Sequence, residues 1–128
     1  MPGEAVSVLV VDDQAPFRMA ARLVVRSTTG FEVVGEAKSG EEALDQVAAL
    51  KPDLVLMDIQ MPVIDGYEAT RRIKAVPALK PTPVVAVSSF AMKGDEEKAR
   101  AAGCDHYVTK PYSPMQLLKL VRGFLGDA

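Results

Sequence analysis

Four strand-like stretches end in groups capable of chemistry. Val6 to Val11 stops at Asp12-Asp13, Leu54 to Met57 at Asp58, Val84 to Val87 at Ser88, and Cys104 to Thr109 at Lys110. Carboxylates delivered to one place from two strands repel each other, and a hard divalent cation with oxygen ligands relieves that repulsion. Mg²⁺ suits such a site because it accepts a few protein oxygens and keeps several waters. With that cation and the Lys110 ammonium nearby, the site fits an incoming phosphoryl group. Its equatorial oxygens need neutralising while a carboxylate oxygen attacks phosphorus in line. Ser88 could donate a hydrogen bond to a phosphoryl oxygen. Asp58 is the expected centre, because the near-unbroken apolar run Leu54-Val55-Leu56-Met57 reads as a strand buried on both faces that delivers one acid to a crevice.

The elements that must position these groups follow from the pattern around them. After the first strand, Pro16 sits where a first helical turn tolerates it, and Phe17, Ala20, Ala21, Val24 and Val25 recur at helical spacing until Thr28-Thr29-Gly30. Phe31 to Ala37 reads as a second strand. Ser39-Gly40-Glu41-Glu42 is a capping box, with each side chain expected to serve the other's backbone donor, and opens a helix through Leu50. Lys51-Pro52-Asp53 breaks that helix before the Asp58 strand. Asp65-Gly66 starts a third helix running to about Val76, and a Pro77 to Pro83 segment leads to the fourth strand. A polar, Ala-rich helix spans roughly Lys93 to Ala102 and stops at Gly103; Cys104 to Thr109 is the fifth strand. Ser113-Pro114-Met115-Gln116 is a second capping box, and Leu117, Leu118, Leu120, Val121, Phe124 and Leu125 make the last helix amphipathic.

Five strands alternating with five helices imply an α/β fold with a doubly wound parallel sheet. Ligands in such folds lie beyond the carboxyl ends of the strands, near the point where strand order reverses. The four chemical groups above all fall at those ends.

Composition bounds the function. The 128 residues are 48% hydrophobic, enough for one domain with its own core, expected to span about 5–125. A net charge of −2 gives no electrostatic reason to bind nucleic acid or an anionic membrane directly. One cysteine excludes an internal disulfide, and without a signal peptide or spanning segment the chain is expected in the cytoplasm.

Each residue also has a plainer reading. Asp12 and Asp13 could cap the first helix, although their pairing with Asp58 favours a metal. Asp65-Gly66 is a turn and helix start, Tyr107 is by default packing, His106 a solvent-facing strand residue and Cys104 a small buried one.

Val10-Val11-Asp12-Asp13, Leu56-Met57-Asp58-Ile59-Gln60-Met61-Pro62 with Asp65-Gly66, Pro83 to Ser88, and Gly103 to Pro111 together resemble the receiver domain of bacterial two-component response regulators, of the single-domain chemotaxis-regulator kind. The resemblance runs essentially end to end and implies a flavodoxin-like single domain, five parallel strands in the order 2-1-3-4-5 with five helices. It implies that Asp58 is the phosphoacceptor, taking a phosphoryl group from a phosphohistidine on a sensor kinase or histidine phosphotransfer protein. It implies Mg²⁺ held by Asp13, Asp58 and the backbone carbonyl of Gln60, with Asp12 acting through a water. Ser88 matches the switch hydroxyl, Tyr107 the switch aromatic, and Lys110 the phosphate-binding lysine, with a cis bond expected at Pro111. Gln60 and Phe90 match positions that tune hydrolysis, bulky Phe90 shielding the phosphoryl group. The implied output is a protein target bound through the face of the fourth helix, fifth strand and fifth helix, with phosphorylation-dependent dimerisation left open.

Two other functional classes fit the residues less well. A metal-dependent phosphohydrolase with an aspartyl-phosphate intermediate would carry a second acid two residues after the nucleophile, where this chain has Gln60. A flavin carrier would need a phosphate loop after the first strand, where Asp12 and Asp13 would repel it. No DNA-binding or enzymatic output domain is expected within this stretch; a stand-alone regulator is favoured over a receiver cut from a DNA-binding regulator or hybrid kinase.

Overall fold

A computed structural model describes residues 5–88 and 94–125, with the side chains of 123–125 outside the description. Strands β1 (Val6–Val11), β2 (Phe31–Ala37), β3 (Leu54–Asp58), β4 (Val84–Ser88) and β5 (His106–Thr109) alternate with helices α1 (Ala15–Arg26), α2 (Gly40–Leu50), α3 (Gly66–Ala75), α4 (Asp95–Ala102) and α5 (Pro114–Leu125). All strand pairs are parallel and the order is β2-β1-β3-β4-β5, the doubly wound architecture expected from the sequence. Order reverses between β1 and β3. The acids that end those two strands therefore meet at the crevice of the switch point.

Every residue of β3 and β4 is buried, which is why both read as continuous apolar runs. Alternation along β3 divides the core. Val55 and Met57 join the cluster containing Ala43, Val47, Ala69 and Ile73 from α2 and α3; Leu54 and Leu56 join the one containing Val25, Leu117 and Val121 from α1 and α5. Burying each such side chain stabilises the fold by ~2 kcal/mol, so β3 is the element least able to shift.

Local chemistry sets the element ends. Asp65 caps α3 by accepting the Glu68 N–H at 2.9 Å, and Ser39 caps α2 by accepting the Glu42 N–H at 3.1 Å. Glu42 then reaches Lys38 N–H at 2.9 Å instead of closing a reciprocal box on Ser39. The Ser113 and Gln116 box is reciprocal, at 3.1 and 2.7 Å.

Four boundaries or exposures differ from expectation. β5 begins at His106, because the Cys104 N–H is taken by Ala99 O at 2.9 Å in the exit of α4 beyond Gly103 (φ 105°). His106 is half-buried in β5, where β4 covers one edge, and does not face solvent freely. α3 ends one residue early, where Val76 turns extended before Pro77. α1 sits less deeply than its pattern suggests: Val25 is its buried residue, while Phe17 is 39% exposed and Ala21 and Val24 are half-buried. α4 is described from Asp95, after Gly94 (φ 89°); the expected start at Lys93 lies outside the described residues, as does Phe90. No helix among the described residues is long and apolar enough to cross a membrane.

Candidate functional site

Side-chain oxygens of Asp12, Asp13 and Asp58 lie within 4.8 Å of one another at the carboxyl ends of β1 and β3. Asp12 and Asp58 are buried, at 3% and 4% exposure. Three acids this close are held by a mixture of satisfied and unsatisfied contacts. Asp12 accepts the Gln14 N–H at 3.0 Å through Oδ1 and the Lys110 ammonium at 2.6 Å through Oδ2. Asp12 does not cap α1, whose N-cap is Gln14 without a side-chain cap bond; its bond to the Gln14 N–H closes the loop into the helix. Asp58 accepts the Gln60 N–H at 3.1 Å, and Lys110 Nζ stands 4.0 Å from its Oδ1. Asp13 Oδ1 is buried and has no hydrogen-bond partner among the described residues.

The electrostatics follow from that geometry. Burial pushes the Asp58 carboxyl up, the Gln60 N–H opposes this, Asp12 and Asp13 add to it, and Lys110 subtracts; the result is about 6 against an ordinary 3.8. One ammonium does not balance three carboxylates. An orphaned, buried Asp13 oxygen beside two other acids is a donor set that fits a hard divalent cation, which would supply the missing positive charge.

Ser88 is fully buried at the end of β4, one residue beyond the Val87 that pairs with Asp58, and its carbonyl accepts the Lys110 N–H at 2.8 Å. The Lys110–Pro111 peptide bond is cis. Gln60 is exposed beside Asp58. Tyr107 is half-buried against the α3 side of the core, with its hydroxyl buried and without a partner among the described residues. Nearby, Tyr67 on α3 donates to the Asp95 carbonyl at 3.3 Å, tying α3 to the first turn of α4. Burial, then Asp95 and Tyr107, push the Tyr67 hydroxyl up to about 12, so it remains a donor.

Several participants escape sequence reasoning. The Lys110 ammonium lies 4.0 Å from the centroid of the Phe17 ring, a cation–π contact that helps aim it. Arg18 donates to the Asp12 carbonyl at 2.8 Å, fixing the β1 end. Gly66 packs so tightly that a Cβ would fall 2.4 Å from the Asp58 carbonyl oxygen. The only signal for the first two was their place one turn after Asp13; the glycine reads as a plain helix start.

Residues 8–122 match the response regulator receiver domain family. The chain belongs to that family. A curated relative, the polar-differentiation response regulator DivK of Brucella ovis, is 41% identical over 122 residues, covering 95% of this chain and 98% of its own. Among solved structures, the response regulator domain of Thermotoga maritima CheB superposes with a TM-score of 0.83 at 34% identity, covering 98% of this chain and 99% of that one. Chemotaxis protein CheY4 of Vibrio cholerae gives 0.82 at 27% identity, with 93% and 98% covered. This receiver domain therefore belongs to two-component signalling, with a histidine kinase or phosphotransfer protein as the implied class of partner. Receiver domains generally bind Mg²⁺, and the acidic cluster of this one could hold it.

Proposed function

We propose that this receiver domain accepts a phosphoryl group on Asp58 from a phosphohistidine and uses the modified site to change which proteins its surface binds. The observation that carries the reading is the buried Asp58 carboxylate, set among Asp12, Asp13 and Lys110 at the switch point. An Asp58 oxygen attacks phosphorus as the bond to the imidazole nitrogen breaks, leaving an acyl phosphate and a free histidine. Rigid β3 keeps that oxygen in place, and the Gln60 N–H on Oδ1 orients the carboxylate. Lys110 leaves Asp12 for a phosphoryl oxygen, a short move given its 4.0 Å separation from Asp58. Ser88 donates to a second phosphoryl oxygen. Mg²⁺, when bound, supplies charge neutralisation for the acids and the phosphoryl oxygens; Asp13, Asp58 and the Gln60 carbonyl would hold it, with Asp12 acting through water. Phe90 and Gln60 tune access of the hydrolytic water.

The output follows from Ser88 and Tyr107. Ser88 moving toward the phosphoryl group opens room near β5, and the Tyr107 ring occupies it. The face of α4, β5 and α5 changes shape, and a protein partner reads the difference. Intact mass after incubation with acetyl phosphate tests the reading. One Mg²⁺-dependent phosphoryl adduct that vanishes in Asp58→Ala is expected. A folded protein that takes no adduct under any condition would sink the reading and leave a constitutive binding module.

A further inference from the structure

A cavity of about 450 Å³ opens between α1, the sheet and the Lys110–Tyr112 segment, beside the acids. Asp12, Asp58 and Lys110 form one end of it, while Ala20, Ala21 and Val24 of α1 and Leu56 and Val87 of the sheet wall the rest. Phe17 and Ala20 at its rim are exposed, so the cavity is open to solvent on one side, and an apolar space of about 150 Å³ already accommodates benzene. The cause is visible in α1. Its inward residues are small, and apart from Val25 the helix is not fully seated on the sheet.

Tyr112 supplies a second observation. It is 9% exposed, lines the cavity, and makes no hydrogen bond to any described residue. Burial and then the Asp12 charge push its ionisation well above the ordinary phenol range, so the hydroxyl stays protonated and able to donate. A phenol with no acceptor among the described residues, on the wall of a mainly apolar cavity, is a polar handle for a ligand.

We propose that this cavity binds a small, neutral, aromatic molecule of about two rings that carries one hydrogen-bond acceptor for the Tyr112 hydroxyl. Aromatic character matches Phe17 at the rim and Tyr112 on the wall. Neutrality follows from the polar end of the metal-free site, where two carboxylates face one ammonium and repel an anion. The size follows from the volume, roughly three benzene-sized spaces. Because the acids form one wall, an occupant alters their surroundings directly, giving the domain a small-molecule input beside its phosphorylation site. The binding itself does not depend on phosphoryl transfer.

Quinoline is a suitable probe, followed by methyl NMR of the full chain with labelled Ala and Val. Saturable shifts are expected at Val10, Ala20 and Val24, with a dissociation constant on the order of 0.1–1 mM for a ligand of this size. Ala21→Leu fills the cavity and should abolish them. Tyr112→Phe should weaken binding by roughly threefold to tenfold, the loss of one neutral hydrogen bond. 2-Naphthoate, of similar size but anionic, should bind more weakly than quinoline. Absence of saturable shifts, unchanged affinity in Tyr112→Phe, or equal binding of naphthoate would overturn the proposal, and the Tyr112→Phe comparison stands even if Ala21→Leu fails to fold.

Discussion

Replacing Asp58 by asparagine is expected to stabilise the metal-free domain. Burial raises the Asp58 carboxyl from 3.8 to about 6, with Asp12 and Asp13 contributing and the Gln60 N–H and Lys110 opposing. An acid that holds its proton more tightly folded than unfolded makes folding less favourable as pH rises. Below about 3.8 both states carry the proton and nothing is lost; above about 6 the folded state carries the full penalty. At about 1.4 kcal/mol per tenfold change in proton affinity, that penalty reaches roughly 3 kcal/mol. Asparagine is isosteric, keeps an oxygen for the Gln60 N–H, and places an amide donor in a cluster of carboxylate oxygens that lie within 4.8 Å of one another. Imperfect satisfaction of that amide returns part of the gain, leaving about 1–2 kcal/mol net.

The assay is urea denaturation of both proteins in EDTA across the range from below pH 4 to above neutral. The variant should be more stable above neutral pH, and the gap should close through the window between about 6 and 3.8 as Asp58 of the parent protonates. Excess Mg²⁺ should then stabilise the parent more than the variant, which lacks one ligand charge. A variant less stable than the parent above neutral pH in EDTA, or a gap independent of pH, would refute the electrostatic account.

Three other substitutions probe the frame around the site. Lys74→Met removes an ammonium that donates to the carbonyls of Lys80 and Thr82 at 3.0 and 2.6 Å and to Asp105 at 3.0 Å; a loss of about 2 kcal/mol in urea denaturation is expected. Val63→Asn should gain about 1 kcal/mol, read as a rise in Tm, because a fully exposed β-branched residue sits there at φ 66° while asparagine tolerates the left-handed region. Gly66→Ala should cost about 2 kcal/mol and slow phosphorylation by acetyl phosphate, since its Cβ would press on the backbone of Asp58, 2.4 Å from the carbonyl oxygen and 2.6 Å from Ile59 Cα; an unaffected rate would show that this contact does not position the acceptor.

The strands and their terminal acids were legible because a strand buried on both faces admits only apolar residues, so Asp58 after Leu54 to Met57 is conspicuous. Capping at Ser39, Asp65 and Ser113 was legible for a similar reason: a short polar side chain before an apolar-periodic run has few other uses. How deeply α1 sits was not legible. Periodicity marks Ala20, Ala21 and Val24 as the inward face, yet the gap beneath them depends on the volume that the sheet and the Lys110–Tyr112 segment leave, a sum over residues remote in sequence. Lys74 reads as a solvated helix residue, and only the turn of the chain at Thr82 and the return of Asp105 give it three acceptors. Tyr107 was legible as an aromatic in a strand, whereas its buried hydroxyl, without a partner among the described residues, is a property of the assembled core.

The two ends of the sheet are built on opposite principles. At the amino ends of the strands, acids are fully used: Asp53 accepts the Ser7 N–H and hydroxyl at 3.0 and 3.1 Å, and Asp105 accepts both the Val84 N–H at 2.8 Å and the Lys74 ammonium. Those bonds lock β1 against the start of β3 and β4 against the start of β5. At the carboxyl ends, acids are left in want: Asp58 keeps a raised proton affinity, Asp13 has an oxygen with no partner among the described residues, and Lys110 serves two carboxylates at once. Unmet charge is tolerable there only because the opposite edge and the fully buried β3 hold the strands in register. Collapse of the acids apart would relieve the repulsion, but it would require Asp58 to leave a strand whose every residue is buried, at ~2 kcal/mol for each side chain displaced. The frustration is therefore stored and not relaxed, and it leaves the strand ends receptive to a cation and a phosphoryl group that together complete their coordination.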